Sequence, residues 1–274
     1  MKTDNNSIIT LSNSMAECKI SLFGGNILSY RPKNQEHDVF WLGDLNKFDN
    51  IQAIRGGIPV CWPRFSEETL NNYLPRHGFA RLSHWKIKNV YVDETNISLQ
   101  LYLIPDDKYN LQVTANLYLE ITDKLTCRLE TINYGKADFE FSEALHAYFY
   151  VGSRDETQIK GLKNCQYKNN VADSKIYSLE NDLYINKEFD AAFINHTSGI
   201  EIIDNKLNRI IKIDKKGSNS TVVWNPDKDL PEMSFEQYKH FICVEPANQG
   251  ENFVKLASGE KHEISMQVCV KSIK

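Results

Sequence analysis

The segment that decides the fold reads Ile97-Ser98-Leu99-Gln100-Leu101-Tyr102-Leu103. Apolar and polar side chains alternate along it, and this period of two is typical of a β-strand with one buried face. The same alternation returns in other segments, many of which carry Val, Ile, Tyr, Phe or Thr and therefore suit a pleated surface. These segments are 111–121, 125–132 and 263–270, with further candidates at 18–23, 85–92, 140–150, 221–224 and 241–245.

Helical patterns are nearly missing from the sequence. Segments 42–48 and 231–237 are each predicted to hold one helical turn, and segment 155–195 has too weak a period to predict its structure. Short strands separated by turn residues favour an all-β protein, a large antiparallel β-sandwich with one buried face in each sheet. All-β sandwiches reach a length of 274 residues as one unit, so we expect a single domain over 1–274.

Composition argues against several classes of protein. The net charge of −4 is small and no basic stripe or tail occurs, so we expect no nucleic-acid partner. Apolar runs are too short to span a membrane, and the N-terminus lacks a secretory signal. The six cysteines are scattered without a C-x-x-C pair, which disfavours a zinc ribbon or a dithiol redox motif. We therefore expect reduced thiols in a cytoplasmic protein without membrane partners.

Two loops combine arginine with glycine. The first, Arg55-Gly56-Gly57-Ile58-Pro59, begins with an arginine, and its adjacent glycines permit backbone conformations that other residues resist. The second, Arg76-His77-Gly78-Phe79-Ala80-Arg81, holds three cationic candidates around one glycine. Guanidinium groups bind carboxylate or phosphate oxygens through paired hydrogen bonds. Both loops are candidates for an anion site, although a solvated basic turn carries the same residues.

Two predicted strands hold polar residues that a scaffold does not need. Alternation places His146 on one sheet face with Ala144 and Tyr148. Glu245 ends the apolar strand 241–245 and is followed by a proline. Each residue has an ordinary alternative, a hydrogen-bonded structural histidine and a carboxylate that reaches solvent. Taken with the arginines, they supply one acid, one base and an anion clamp, which suffices for proton transfer on a charged sugar.

The order of these motifs resembles that of the hexose-6-phosphate mutarotases, also called glucose-6-phosphate 1-epimerases, within the aldose 1-epimerase-like superfamily. The resemblance runs from about 18 to 270, and the ordered set is specific although each motif is short. The motifs that carry it are Arg55-Gly56-Gly57-Ile58-Pro59, His77-Gly78-Phe79-Ala80-Arg81, Ala144-Leu145-His146-Ala147-Tyr148-Phe149 and Val244-Glu245-Pro246-Ala247, supported by Phe23-Gly24-Gly25-Asn26, Gly161-Leu162 and Trp224-Asn225-Pro226.

The resemblance implies a galactose mutarotase-like β-sandwich, or supersandwich, whose site lies on a concave sheet face. It implies that the α and β anomers of a hexose 6-phosphate, most directly glucose 6-phosphate, interconvert by ring opening and closure. Glu245 is then the catalytic base and His146, as imidazolium, the catalytic acid. We expect the charge of Glu245 to raise the pKa of His146. The reaction needs no cofactor and no metal.

By the same resemblance, four further residues contact the substrate. Arg55 and Arg81 match arginines that bind the phosphate, His77 matches a pocket histidine, and Asp190 matches an aspartate that contacts the sugar. The chain departs from the family pattern after that aspartate, where Ala191-Ala192-Phe193 follows.

Two extra arginines also depart from the pattern. Arg76 stands where glutamine is common, and Arg64 where an aromatic residue is common. Both add charge near the implied phosphate, and whether they contact the substrate is left open.

Two other functions remain open from the sequence alone. A non-catalytic sugar-phosphate sensor or binding module on the same fold would need the arginines but not the acid–base pair. A neutral-sugar mutarotase would need the pair but not so many arginines. A small-molecule sugar phosphate is the expected partner, and the sequence predicts no particular protein partner or oligomeric state.

Overall fold

The computed structural model describes residues 2, 3, 7–66, 70–171 and 174–273. Strands dominate this part of the chain, and the helices within it are five short 3-10 turns, none long or apolar enough to cross a membrane. The strands are β1 (Lys2–Thr3), β2 (Ile8–Ser12), β3 (Ala16–Ser21), β4 (Asn26–Pro32), β5 (Val60–Cys61), β6 (Lys86–Val92), β7 (Ile97–Leu103), β8 (Val113–Ile121), β9 (Leu125–Asn133), β10 (Phe139–Phe141), β11 (Glu143–Leu145), β12 (Tyr148–Tyr150), β13 (Thr157–Lys160), β14 (Gln166–Asn169), β15 (Ile176–Ser178), β16 (Leu183–Tyr184), β17 (Phe189–Ile194), β18 (Ile200–Asp204), β19 (Arg209–Lys216), β20 (Ser220–Asn225), β21 (Phe241–Asn248), β22 (Val254–Leu256) and β23 (Lys261–Ser272). The 3-10 helices are Ala80–Leu82, Asp107–Tyr109, Arg154–Glu156, Gln237–His240 and Gly250–Asn252.

Two large antiparallel sheets hold most of the strands. The nine-stranded sheet has the order β16-β13-β18-β19-β23-β9-β8-β7-β6. The eight-stranded sheet has the order β15-β14-β17-β20-β21-β11-β5, and β12 also pairs with β21. Smaller sheets are formed by β1 to β4 and by β10 with β22. The prediction of an all-β antiparallel fold is confirmed.

The core lies between the two large sheets. Along β7, the apolar side chains are buried and the polar ones are half-buried, as the alternation predicts. One contiguous cluster joins Leu99 and Leu117 of the nine-stranded sheet to Ile242, Val244 and Phe193 of the eight-stranded sheet. Strand β21 is buried at every residue, so its second face is covered as well. That second face positions the site described below.

The structure corrects two strand boundaries. Segment 140–150 forms three short strands rather than one, and the strand that was expected to end at Glu245 continues to Asn248. Val244 donates its backbone N–H to the Ala147 carbonyl oxygen, and N–H directions alternate along a strand, so Pro246 lacks a donor on that same side. The ladder is therefore interrupted between β11 and β12. His146 lies in this gap.

The helical predictions were less successful than the strand predictions. Segment 42–48 forms no helix because the side chain of Asn46 bonds the backbone of Gly43 and Arg55 and so competes with helical hydrogen bonds. In segment 231–237 the 3-10 helix begins only at Gln237. Segment 155–195, which predicted no element, contains β13 to β17.

Candidate active site

One face of the eight-stranded sheet forms the floor of a cavity of about 300 Å³. Neighbouring strands place the floor residues opposite one another, since Val222 pairs with Glu245 and Trp224 pairs with Asp190. Side chains at such paired positions share a sheet face. The cavity is lined by all six residues that the sequence predicted for the site: Arg55, His77, Arg81, His146, Asp190 and Glu245.

The loop before β5 brings Arg55 to the rim. Gly56 has a φ of +103°, and a Cβ there would lie 2.5 Å from the Trp41 carbonyl oxygen, so only glycine fits. The guanidinium of Arg55 is held by Glu232, with Nε 2.9 Å from Oε2, and donates from Nη1 to the Tyr148 hydroxyl at 3.3 Å. The segment is a loop, as the sequence predicted, and strand β5, which follows Pro59, lies at the edge of the sheet, where a neighbouring proline is tolerated.

The second loop supplies His77 and Arg81. Its turn uses Gly78, whose φ is +72° and where a Cβ would lie 2.1 Å from the Trp62 carbonyl oxygen. Arg81 donates from Nη2 to the Arg76 carbonyl oxygen at 3.1 Å, while its buried Nε has no hydrogen-bond partner among the described residues. Arg81 lines the cavity, and its guanidinium favours an anionic ligand there.

His146 and Glu245 form a close pair at the centre of the floor. Nδ1 of His146 lies 3.3 Å from Oε1 of Glu245, and their side chains are 12% and 1% exposed. The angles do not make this contact a hydrogen bond, so Nδ1 of His146 and Oε2 of Glu245 have no hydrogen-bond partner within the described chain. The imidazole stacks on Tyr148 with ring centres 4.9 Å apart. The two side chains are therefore held in place by packing, but each has a polar atom without a hydrogen-bond partner.

Burial and nearby charge set the protonation of this pair. Burial, followed by the positive charges of Arg81 and Arg55, lowers the pKa of His146 to about 3. Burial, followed by the charge of Asp190, raises the pKa of Glu245 well above its usual value. The expectation that Glu245 raises the pKa of His146 was wrong, because desolvation and two arginines outweigh a carboxyl group that is itself buried. Both groups therefore favour their neutral forms.

Asp190 and His77 complete the predicted set. Asp190 accepts a hydrogen bond from Nδ2 of Asn170 at 2.8 Å, and burial raises its pKa. His77 accepts the Ser66 backbone N–H at Nδ1 at 3.3 Å. Burial and the charge of Arg81 lower the pKa of His77 to about 2, so this ring is neutral and its Nε2 carries the proton.

The two extra arginines differ in position. Arg76 lines the cavity, whereas Arg64 is not among the described residues that line it. Nη1 of Arg64 donates to the carbonyl oxygens of Leu74 at 2.6 Å and Asn72 at 3.3 Å, which ties down the loop that carries Arg76. Arg64 therefore holds this loop in place through backbone hydrogen bonds.

Sequence reasoning missed several residues of this site. Tyr148 and Trp224 lay within motifs that carried the family resemblance but received no role. Asn170 and Gln249 also line the cavity, and Glu232 holds Arg55 from a segment that carried no motif. No local pattern could have revealed these three, because their relevance depends on contacts between distant segments.

The fold and the cavity define a class of protein. An antiparallel sandwich that places an imidazole, a carboxyl group and arginines over an aromatic floor suits proton transfer on a small polar anion. The chain belongs to the aldose 1-epimerase family, whose model matches residues 7–269. It is therefore an isomerase of the epimerase and mutarotase type, and the predicted family and reaction class are confirmed.

Individual relatives agree with this assignment. A protein of Escherichia coli K12, provisionally named glucose-6-phosphate 1-epimerase, is 31% identical over 257 residues, covering 91% of this chain and 86% of the relative. A Haemophilus influenzae protein with the same provisional name is 29% identical over 217 residues, covering 79% and 75%. The crystal structure of a provisionally named mutarotase from Salmonella typhimurium superposes with a TM-score of 0.89 at 26% identity, covering 97% and 90%. A galactose mutarotase-like protein from Clostridium acetobutylicum shares the fold, with a TM-score of 0.75 at 17% identity and coverage of 97% and 95%.

Proposed function

We propose that the protein interconverts the α and β anomers of a hexose 6-phosphate, with glucose 6-phosphate as the first candidate. The observation that carries this proposal is the convergence of His146, Glu245, Arg55 and Arg81 on one cavity. The names of the bacterial relatives support the same substrate.

His146 and Glu245 are proposed to open and close the sugar ring. Opening requires a base that takes the proton of the anomeric hydroxyl and an acid that protonates the ring oxygen. We assign the base to Glu245 and the acid to His146. Rotation about the bond beside the exposed aldehyde turns its other face to the ring-closing hydroxyl, and closure reverses both transfers. Protons move without net gain or loss, so side chains alone can carry the reaction.

The pair has to carry one proton for this chemistry. Without a bound anion, that proton resides on Glu245, because burial favours a neutral carboxyl and a neutral imidazole. A bound phosphate dianion would offset the charges of Arg55 and Arg81, which are two of the causes that lower the pKa of His146. Phosphate binding thereby favours movement of the proton to His146 and leaves Glu245 as the base.

The arginines are proposed to hold the phosphate at the rim. Arg81 has a buried Nε without a partner among the described residues, and Arg55 is already oriented by Glu232. Each guanidinium carries five N–H donors, and those that remain can form charge-assisted bonds to phosphate. The sugar then lies between this rim and the floor, where Asp190 and Trp224 are available for hydroxyl and ring contacts.

Polarimetry of freshly dissolved α-glucose 6-phosphate tests the proposal. The rotation should reach its equilibrium value faster with the protein than without it, and the acceleration should be far weaker with unphosphorylated glucose. Binding without acceleration would identify a non-catalytic sensor. Equal acceleration of both sugars would identify a neutral-sugar mutarotase.

The cellular location and the number of domains remain predictions. All six cysteines are free thiols, which fits the proposed cytoplasmic location because structural disulfides belong to oxidising compartments. The single domain over 1–274 is likewise proposed, in agreement with a family match from 7 to 269.

A further inference from the structure

A cysteine lies beside the His–Glu pair and has no part in the proposed reaction. Cys243 stands two residues before Glu245 on β21, so both side chains point to the same sheet face. The Cys243 sulfur, one ring nitrogen of His146 and one carboxylate oxygen of Glu245 all lie within 4.8 Å of one another. Three different donor atoms therefore converge on one point.

Two of these groups are unsatisfied in the protein. Nδ1 of His146 and Oε2 of Glu245 are buried and have no hydrogen-bond partner in the described part of the chain. Glu245 is only 1% exposed, so water does not readily replace the missing partner. Such orphaned acceptors beside a thiol are the arrangement that a bound cation would satisfy.

The donor set selects the kind of cation. Nitrogen, sulfur and oxygen together suit Zn²⁺, whose bonds of about 2.0–2.3 Å place tetrahedral ligand atoms roughly 3.3–3.8 Å apart. The Nδ1–Oε1 distance of 3.3 Å already meets this spacing. The widest donor separation, up to 4.8 Å, has to shorten by roughly 1.0–1.5 Å when the metal binds. Three protein ligands would leave the fourth tetrahedral position open. Burial raises the pKa of the Cys243 thiol, so the metal has to displace a proton when it binds.

We propose that His146, Cys243 and Glu245 form an inhibitory zinc site. Binding replaces the thiol proton and the proton held by the His–Glu pair, and both are released to solvent. The metal would then coordinate both the proposed acid, His146, and the proposed base, Glu245, so neither could transfer a proton and anomer exchange would stop. The inhibitory role rests on the proposed function, whereas the metal site itself does not.

Cobalt titration tests the site without reference to activity. Co²⁺ added to the purified protein should give a near-ultraviolet thiolate-to-cobalt absorption that saturates at one equivalent, and Zn²⁺ should remove it. Cys243→Ala and Cys243→Ser should lose this absorption. The matched control is Cys61→Ala, because Cys61 is also buried in the eight-stranded sheet but lies outside the donor cluster. An absorption that persists in both Cys243 variants, or none in the wild type, overturns the proposal.

Measuring anomer exchange in the presence of Zn²⁺ tests whether the metal site inhibits the enzyme. Zn²⁺ should slow anomer exchange by the wild type, and a chelator should restore it. Cys243→Ala should keep its exchange activity and require at least ~100-fold more zinc for inhibition, since even outer-shell changes at metal sites commonly cost 10- to 100-fold in affinity. Equal zinc sensitivity of wild type and Cys243→Ala contradicts the site. If cobalt binds as expected but the wild type accelerates no exchange, the metal site stands and the proposed function fails.

Discussion

Two His–Glu pairs, each with a buried glutamate, have opposite properties. In the cavity, His146 lies 3.3 Å from Glu245 without a hydrogen bond. Between the two large sheets, Nε2 of His262 lies 2.9 Å from Oε1 of Glu143, and Asn248 donates to that same oxygen at 3.0 Å. Glu143 and Glu245 stand on the adjacent strands β11 and β21.

Their surroundings account for the difference. Burial and two arginines lower the pKa of His146. Burial also acts to lower the pKa of His262, but its hydrogen bond to Glu143 and the charge of Glu143 prevail, so the pKa is raised. The His262–Glu143 pair is joined by a hydrogen bond and stabilises the fold, although Oε2 of Glu143 has no hydrogen-bond partner among the described residues. The His146–Glu245 pair has no hydrogen bond between its two members and lies among arginines, so it is available for proton transfer. Residue type alone does not separate the two.

The largest expected difference between the pairs is catalytic. His146→Ala and Glu245→Gln should each lower the catalysed exchange rate by ~100- to 10,000-fold, the usual contribution of a positioned acid or base. The double variant should be little worse than either single one, because the two groups act as a unit. Glu143→Gln should retain the wild-type rate per folded molecule in the same polarimetric assay. Near wild-type rates in a folded His146→Ala protein would refute the catalytic assignment.

The arginines should act mainly on substrate capture. Removing one partner of a charge-assisted hydrogen bond commonly costs ~1.5–3 kcal/mol, so Arg55→Ala and Arg81→Ala should each raise KM about tenfold to hundredfold. The effect on kcat should be smaller, because the phosphate is remote from the anomeric carbon and is held equally before and during reaction.

Arg64→Ala serves as the arginine control. The Arg64 side chain donates hydrogen bonds to loop carbonyl oxygens and is not among the described residues that line the cavity. The KM of this variant should therefore change much less. Equal losses with glucose and glucose 6-phosphate in the Arg55 and Arg81 variants would contradict a phosphate clamp.

A smaller but direct contrast concerns histidine titration. In the empty protein, the NMR signals of the His146 ring should stay those of neutral imidazole from pH ~8 down to ~5, whereas an ordinary histidine titrates near ~6.5. The His262 ring should titrate above that ordinary value, in line with its raised pKa. Arg81→Ala should raise the pKa of His146 by removing a positive charge. A midpoint near the ordinary value for both rings would show that their surroundings do not differ as described.

The smallest expected effect is on stability. Because the pKa of His262 is raised in the folded state, its contribution is fully present below the ordinary histidine value and is lost as pH rises through the folded value. Glu143→Gln should therefore lower the free energy of unfolding by about 1.5 kcal/mol at pH ~5.5 and by less at pH ~8.5. Urea unfolding at both pH values measures this difference. A loss that grows with pH would have the wrong sign.

The sequence predicted the scaffold better than it predicted the surroundings of the candidate site residues. Alternation in 97–103 identified an observed strand, and short ordered motifs led to the six predicted residues that share one cavity. The pairing of Arg55 with Glu232 and the approach of Cys243 to His146 join segments far apart in the chain, and no local pattern records such contacts. The wrong expectation for the pKa of His146 has the same cause. That pKa depends on burial and on Arg81 and Arg55, which only the fold brings near the ring.

Magnetisation exchange between the α and β anomers of glucose 6-phosphate at equilibrium measures the proposed catalysis without a coupled reaction. With wild-type protein, exchange cross-peaks should appear at mixing times too short for spontaneous interconversion. They should persist with Glu143→Gln and disappear with Glu245→Gln. Exchange no faster with wild-type protein than in buffer would contradict the proposed function, and equal exchange with both variants would contradict the distinction between the two His–Glu pairs.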